Sequence, residues 1–254
     1  MNLCLFFEGT GRGVAGRITN ATRLRDICVD DVRQKLHLEA GPGTRLGSYL
    51  CGKIAGSDWQ AIFRDARRWF EANYETLPKD GIATKVFLFG FSRGALIARH
   101  FAAWLDKLGV EVDYLGLWDT VDATIGLDVA ADCPGNVKKA RHAVSRDESR
   151  RFFQYVPLKG GKGQVAEMLF PGSHSDVGGL YDDNHLVADL ALAWIAAGAK
   201  RAGVRRGADL SQRLDIPSVV LHDSHSLASN LWGAFARVKR DLPRLRLHFA
   251  CKGL

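Results

Sequence analysis

A serine stands between two glycines in Gly90-Phe91-Ser92-Arg93-Gly94, directly after the apolar run Lys85-Val86-Phe87-Leu88-Phe89 and before Ala95-Leu96-Ile97-Ala98-Arg99-His100-Phe101-Ala102. The run has the length and composition of a buried strand, and the segment after it has those of a helix, so Ser92 falls in a sharp strand-to-helix turn. Such a turn forces the serine into a strained backbone conformation. A Cβ two residues to either side would then collide with the neighbouring strand or helix, which is why glycines stand at 90 and 94. In this setting a serine hydroxyl is presented at the top of a sheet as a nucleophile. The plainer reading is a tight turn in which Ser92 only caps the following helix. The correct flanks on both sides favour the nucleophile.

With 254 residues, 46% of them hydrophobic, the chain can bury a substantial core, and the expected organisation is a single domain over 1–254. The 35 Lys and Arg against 28 Asp and Glu give a net charge of +7, which suits anionic lipid headgroups or nucleic acid. The basic residues are dispersed (Arg12, Arg17, Lys138, Lys139, Arg150, Arg151, Arg205, Arg206), and none of the nucleic-acid motifs accompanies them, so no nucleic-acid partner is expected. The five cysteines, Cys4, Cys28, Cys51, Cys133 and Cys251, are widely spaced and odd in number, and they read as reduced core residues rather than a zinc site or disulfide framework. The opening Met1-Asn2-Leu3-Cys4-Leu5-Phe6-Phe7-Glu8 has no basic leader region, so a first strand is expected there rather than a signal peptide. No apolar run approaches the roughly 18 residues that span a bilayer. Synthesis in the cytoplasm follows, with any export by another route.

Along the chain, Leu3–Phe7 reads as a strand ending in the glycine-rich Glu8-Gly9-Thr10-Gly11. Without a following Lys-Ser/Thr that loop is no P-loop. A helix is expected within 19–36, a short strand at Leu36–Leu38, and a turn at Gly41-Pro42-Gly43-Thr44. Trp59, Ile62, Phe63, Ala66, Phe70 and Tyr74 recur at helical spacing from Asp58 to Leu77, with Ser57 or Asp58 as N-cap. Strand 85–89 and helix 93–108 follow, then a strand over Val112–Trp118 that delivers Asp119 into a loop. Segment 122–164 reads as irregular apart from a helical turn at Arg146–Phe153. Strand Val165–Phe170 leads to Pro171-Gly172-Ser173-His174, and then come an apolar helix over Leu186–Ala199, a basic loop, Ser218–Leu221, and a last strand near Leu245–Cys251. Alternating strands and helices predict a mostly parallel central sheet flanked by helices, with catalytic groups at the strands' carboxyl ends.

A serine hydroxyl is a weak nucleophile until an imidazole takes its proton and a carboxylate holds that imidazole in the right tautomer. On an α/β-hydrolase sheet the chain order is Ser, acid, His, and Ser92, Asp119 and His174 satisfy it. Asp176 and Asp223 compete for the acid, although Asp176 lies only two residues from His174 and reads better as a loop-shaping carboxylate. His222 and His225 compete for the base. His100 and His248 fall inside a helix and a strand and read as structural histidines. His174-Ser175-Asp176 could mimic part of a metal site, but no third or fourth ligand stands at a recognisable spacing, so neither a metal nor a cofactor is expected. The developing oxyanion is expected to meet the backbone N–H of Arg93 and one from the first-strand loop, Gly9 or Thr10.

Six segments together carry a resemblance: Phe7-Glu8-Gly9-Thr10, Gly41-Pro42-Gly43-Thr44, Gly90-Phe91-Ser92-Arg93-Gly94-Ala95, Leu117-Trp118-Asp119-Thr120-Val121, His142 to Phe152, and Phe170 to Gly179. In this order, spread over most of the chain, they are similar to the α/β-hydrolase family that includes the first class of type VI secretion lipase effectors. The resemblance implies an α/β-hydrolase-like fold, with the family's nucleophile falling on Ser92, its acid on Asp119 and its base on His174. It also implies cleavage of a lipid or small ester through an acyl-serine, as a phospholipase or lipase-like antibacterial effector. Peripheral membrane contact, a secretion-apparatus or immunity-protein partner, and delivery to another cell's periplasm come with it. The family has Asp where Glu8 stands and a third glycine where Leu180 stands. A small-molecule esterase and a catalytically silent lipid- or protein-binding relative are the alternatives. The apolar residues best placed to form an entrance for lipid are Ile125, Leu127, Val129, Phe152 and Phe153.

Overall fold

The computed structural model describes residues 1–10, 18–44, 58–74, 83–122, 132–207, 220–222, 242 and 246–247. Within them β1 (Asn2–Phe7), β2 (Gln34–Glu39), β3 (Lys85–Phe91), β4 (Tyr114–Trp118), β5 (Lys139–Ser145), β6 (Gln164–Phe170) and β7 (Arg246–Leu247) form one sheet in the order β2-β1-β3-β4-β5-β6-β7. Every pairing is parallel. The chain therefore builds outward from β1 to β2, then returns past β1 to lay down β3 and the rest in sequence. That reversal makes the carboxyl ends of β1 and β3 a topological switch point, where doubly wound sheets open a crevice. Glu8, Gly9 and Ser92 leave the sheet at this crevice.

Strand side chains alternate between faces, and the sequence of β1 and β3 divides accordingly. Leu3, Leu5 and Phe7, with Val86 and Leu88, pack against α2 (Trp59–Asn73) and α3 (Arg93–Lys107). Cys4 and Phe6, with Phe87 and Phe89, pack on the other side against α1 (Asn20–Ile27) and α5 (Leu186–Ala202). Both faces are covered, so the strands read as nearly continuous apolar runs, as parallel sheets do. Each buried Phe or Leu contributes about 1.5–3 kcal/mol by leaving water.

Three expectations change. The segment read as irregular contains β5, held between β4 and β6. Its Lys139, Arg141 and His142 disguise a strand whose stability comes from its neighbours rather than its own propensity. Arg141 is accommodated by lying over the Trp194 ring at 4.8 Å. No helical turn forms over 146–153; bends there end in a turn closed by Phe153 N–H on the Arg150 carbonyl at 3.0 Å. His174 stands not at a strand end but on the first residue of a short helix, α4 (His174–Gly178), four residues after β6. Of the cysteines, Cys4 and Cys133 are buried, Cys28 is partly so, and Cys51 and Cys251 lie outside the described residues. Asp58 occupies the cap position of α2 without a side-chain cap bond, its Oδ2 accepting instead from Gly43 N–H at 3.0 Å, and Ser57 lies outside the described residues. Among the described residues, no helix is long and apolar enough to cross a membrane.

Candidate active site

At the turn between β3 and α3, Ser92 has φ 59° and ψ −128°, a left-handed conformation that only close packing sustains. A Cβ on Gly90 would lie 2.6 Å from the Ala95 Cα, and one on Gly94 would lie 2.3 Å from the Phe7 carbonyl oxygen. Both glycines are thus required by backbone approaching backbone, which cannot yield as a flexible side chain can. Ser92 occupies the cap position of α3, yet its side chain makes no cap bond. The hydroxyl faces His174 instead.

His174 Nε2 lies 2.9 Å from Ser92 Oγ, and His174 Nδ1 lies 2.7 Å from Asp119 Oδ2. An ionised carboxylate only accepts, so Nδ1 carries the proton and Nε2 presents its lone pair to the hydroxyl. Asp119, at φ 39°, is the other described non-glycine residue with positive φ. Its Oδ1 accepts the Ser145 N–H at 2.8 Å and its Oδ2 the Ser145 hydroxyl at 3.0 Å, so the end of β5 fixes the carboxylate. The next residue is fixed as well: Thr120 N–H donates to His142 Nε2 at 3.0 Å. His142 Nδ1 in turn donates to Glu167 at 2.7 Å. Glu167 also accepts from the Tyr155 hydroxyl at 2.5 Å and the Leu158 N–H at 2.8 Å.

His174 is held from several sides. Its ring stacks on Phe91 with centroids 4.6 Å apart and meets the edge of Phe153 at 4.9 Å. Its own backbone N–H donates to Glu148 Oε2 at 3.2 Å. Burial would raise the Glu148 carboxyl, but Arg150, which bonds it at 2.8 and 3.0 Å, holds it down at about 2. The Arg150 guanidinium lies 3.6 Å from the Phe153 ring centroid. Burial lowers the His174 value and Arg150 adds to this, while Asp119 and Glu148 oppose it. The ring therefore stays neutral, and able to accept a proton, to lower pH than a free imidazole. Asn20 locks α4 in place by donating to the carbonyls of Val177 at 2.9 Å and Ala188 at 2.8 Å.

Asp176 does not reach the imidazole of His174. It closes a capping box with Ser173 and accepts from His222 Nδ1 at 2.6 Å. His222 is stacked on Tyr181 and bonded to Asp183 at 3.0 Å, so it is engaged away from Ser92. Asp223, His225 and His248 lie outside the described residues, while His100 packs edge-on between Trp59 and Phe63. Leu180 is a buried core residue outside the left-handed region, so nothing in the backbone demands a glycine there. Arg93 opens α3, with its N–H at the positive end of the helix. The Gly9 N–H donates to the Glu8 carboxylate at 3.2 Å, and the Arg93 Nε donates to the Thr10 hydroxyl. Glu8, fully buried, uses its extra length to take both its oxygens to Thr19, at 2.6 and 2.8 Å, and one also to Thr22. Phe152 is exposed and Phe153 half-buried, whereas Ile125, Leu127 and Val129 lie outside the described residues.

Sequence reasoning passed over Ser145, Glu148, Arg150, His142 and Glu167 as individuals. His142, Ser145, Glu148 and Arg150 share one polar stretch that reads as loop, whereas Glu167 falls within the strand Val165–Phe170 and carries no local signal. Among the described residues, no three His, Cys, Asp or Glu side chains are grouped to hold a metal ion.

The family model described as "T6SS, Phospholipase effector Tle1-like, catalytic domain" matches residues 1–111 and 109–198. No curated protein matches the chain. Among solved structures, an uncharacterized protein from Pseudomonas aeruginosa superposes with a TM-score of 0.55 at 18% identity, over 81% of this chain and 46% of that one. The Tle1 effector bound to the VgrG spike from the type VI secretion system superposes at 0.51 with 21% identity, over 71% of this chain and 51% of that one. At these identities the likeness is one of fold. The chain spans about half the length of both proteins.

Proposed function

The chain belongs to the Tle1-like phospholipase effector catalytic family of type VI secretion, and on that premise we propose that it hydrolyses a carboxylic ester of a phospholipid through an acyl-Ser92 intermediate. The observation that carries this reading is the line from Ser92 through His174 to Asp119, with bonds of 2.9 and 2.7 Å on a nucleophile strained into position. Ser92 Oγ attacks the ester carbon while its proton passes to His174 Nε2 and the carbonyl π pair moves onto oxygen. Collapse of the tetrahedral intermediate expels the alcohol, which takes the proton back from His174. Water then repeats the sequence on the acyl-enzyme and releases a carboxylic acid. Asp119 holds the tautomer and stabilises the imidazolium, and its Ser145 bonds keep it from turning. Arg93 N–H and the first-strand loop receive the oxyanion.

Lipid as the substrate draws support from the family, from exposed Phe152 beside the base-supporting Phe153, and from a net charge of +7 that attracts anionic bilayers. The proposed setting is delivery to another cell's periplasm, with a secretion-spike partner and an immunity protein. The test is release of fatty acid from phospholipid vesicles beside hydrolysis of a soluble short-chain ester, with fluorophosphonate labelling of wild type and Ser92→Ala. Labelling and activity should vanish together in the variant. Labelling that persists would refute the nucleophile, and ester cleavage without phospholipid cleavage would leave a small-molecule esterase.

A further inference from the structure

We propose that the Arg93 side chain is a positioning residue that sets Thr10 N–H as the second arm of the oxyanion hole, so that one residue supplies the first arm and holds the second. This rests on the acyl-Ser92 reading above. Two N–H groups follow the end of β1, where a Cβ on Gly9 would lie 3.2 Å from the Ser92 Cβ, and the structure distinguishes them. The Gly9 N–H is turned to the Glu8 carboxylate, which is itself anchored by Thr19 and Thr22 on the far side. An N–H bonded to a carboxylate has little to offer a developing alkoxide, because the anion it already serves competes for the same proton. The Thr10 N–H, by contrast, donates to none of the described residues, and the Thr10 hydroxyl accepts from Arg93 Nε.

The geometry of that clamp is specific. Arg93 follows the nucleophile, so its backbone N–H is placed by the elbow, while its side chain reaches back across the switch point to the loop after β1. It is almost wholly buried, and burial lowers its value to about 10, with Asp58 opposing; the guanidinium thus stays charged at neutral pH. Asp58, whose charge favours the guanidinium, receives the Gly43 N–H at 3.0 Å in the turn at 41–44. A Cβ on Gly41 would sit 1.8 Å from the Gly9 carbonyl oxygen, so this turn backs the loop directly. The loop is gripped by Glu8 on one side and by Arg93 on the other, with Thr10 between them.

Preorganised donors matter in proportion to how well they are fixed, because a donor that must reorient during the reaction forfeits much of its effect. The experiment compares Thr10→Val, Thr10→Ser, Arg93→Met and the Thr10→Val/Arg93→Met double variant. It uses a soluble ester and a trifluoromethyl ketone, which forms a tetrahedral oxyanion on the nucleophile. Thr10→Val should lower kcat by about 10- to 100-fold with KM changed less than about 2-fold, and weaken ketone inhibition by the same factor. Thr10→Ser, which keeps the hydroxyl, should stay within about 3-fold of wild type, and the double variant should be no worse than the more severe single one. Arg93→Met carries the risk of misfolding; Thr10→Val, which removes only the accepting hydroxyl, does not depend on it. Thr10→Val with unchanged kcat and ketone affinity, or losses that multiply in the double variant, would overturn the inference. A wild type that neither labels at Ser92 nor turns over would overturn the functional reading along with it, so the two failures are distinguishable.

Discussion

The two halves of the site are held by different forces. On the β3 side, Ser92 is placed by backbone sterics: glycines at 90 and 94 leave no room for a Cβ, and the carbonyls of Phe7 and Glu8 press against the helix start. On the β5 and β6 side, Asp119 and His174 are placed by buried hydrogen bonds: Ser145 donates to Asp119, His142 accepts from the neighbouring Thr120 N–H, and Glu148 accepts from the His174 N–H. Repulsion between atoms is steep and indifferent to pH, whereas a polar network responds to charge and is worth most when every member is satisfied. The elbow should therefore fail all at once, and the acid–base half by degrees.

The largest break is expected at Gly94→Ala. Its Cβ would lie 2.3 Å from the Phe7 carbonyl oxygen and 2.4 Å from that of Glu8, so the variant should lose its thermal transition or unfold well below wild type, with no fluorophosphonate labelling. A folded, labelled alanine variant would show that the elbow is softer than the packing implies. Next comes Asp119→Asn, which should remain folded and lose about 10⁴ in kcat through the wrong imidazole tautomer. Loss of the fold as well would mean that the carboxylate serves the strand ends more than the base.

The smallest expected effect sharpens the contrast most. A general base acts when neutral, and burial with Arg150 lowers His174, so on the proposed role of His174 the acid limb of kcat/KM should lie below the ordinary imidazole value near 6.5. Glu148→Gln removes an anion that favours the imidazolium and should move this limb further down; Arg150→Met should move it up. A purely structural network would lower both plateaus without separating the limbs. Stability follows a different sign: the Glu148 carboxyl is depressed in the fold, so its contribution is present above the ordinary carboxylate value and lost as pH falls toward about 2. Acid unfolding followed by circular dichroism should thus be shallower in Glu148→Gln.

Much of this is legible in the sequence. The strands β1, β3 and β4 announce themselves as apolar runs because both faces of the sheet are covered, and the elbow announces itself because its sterics admit only glycine at two fixed offsets. β5 was hidden for the converse reason. Its Arg141 and His142 are tolerated through contacts with Trp194 and Glu167, which are distant in sequence, and no local pattern encodes such partners. The same holds for Glu148, whose role depends on a backbone N–H 26 residues away. His174 was recognisable as a candidate from its neighbours in sequence, but the short helix beneath it is set by Asn20 and the Ser173–Asp176 capping box.

The positive φ of Ser92 has an evolutionary corollary. A non-glycine residue held in that region stores about 1–3 kcal/mol of strain, and the nucleophilic role proposed for its side chain would give the chain a reason to keep it. Glycine relieves the strain at a chain-entropy cost of about 0.5–1 kcal/mol. Ser92→Gly should then melt above Ser92→Ala, and above the wild type itself. In a lineage released from selection on catalysis, drift at this codon would run toward glycine, leaving a sturdier and silent descendant whose lost nucleophile is recorded as a gain in stability.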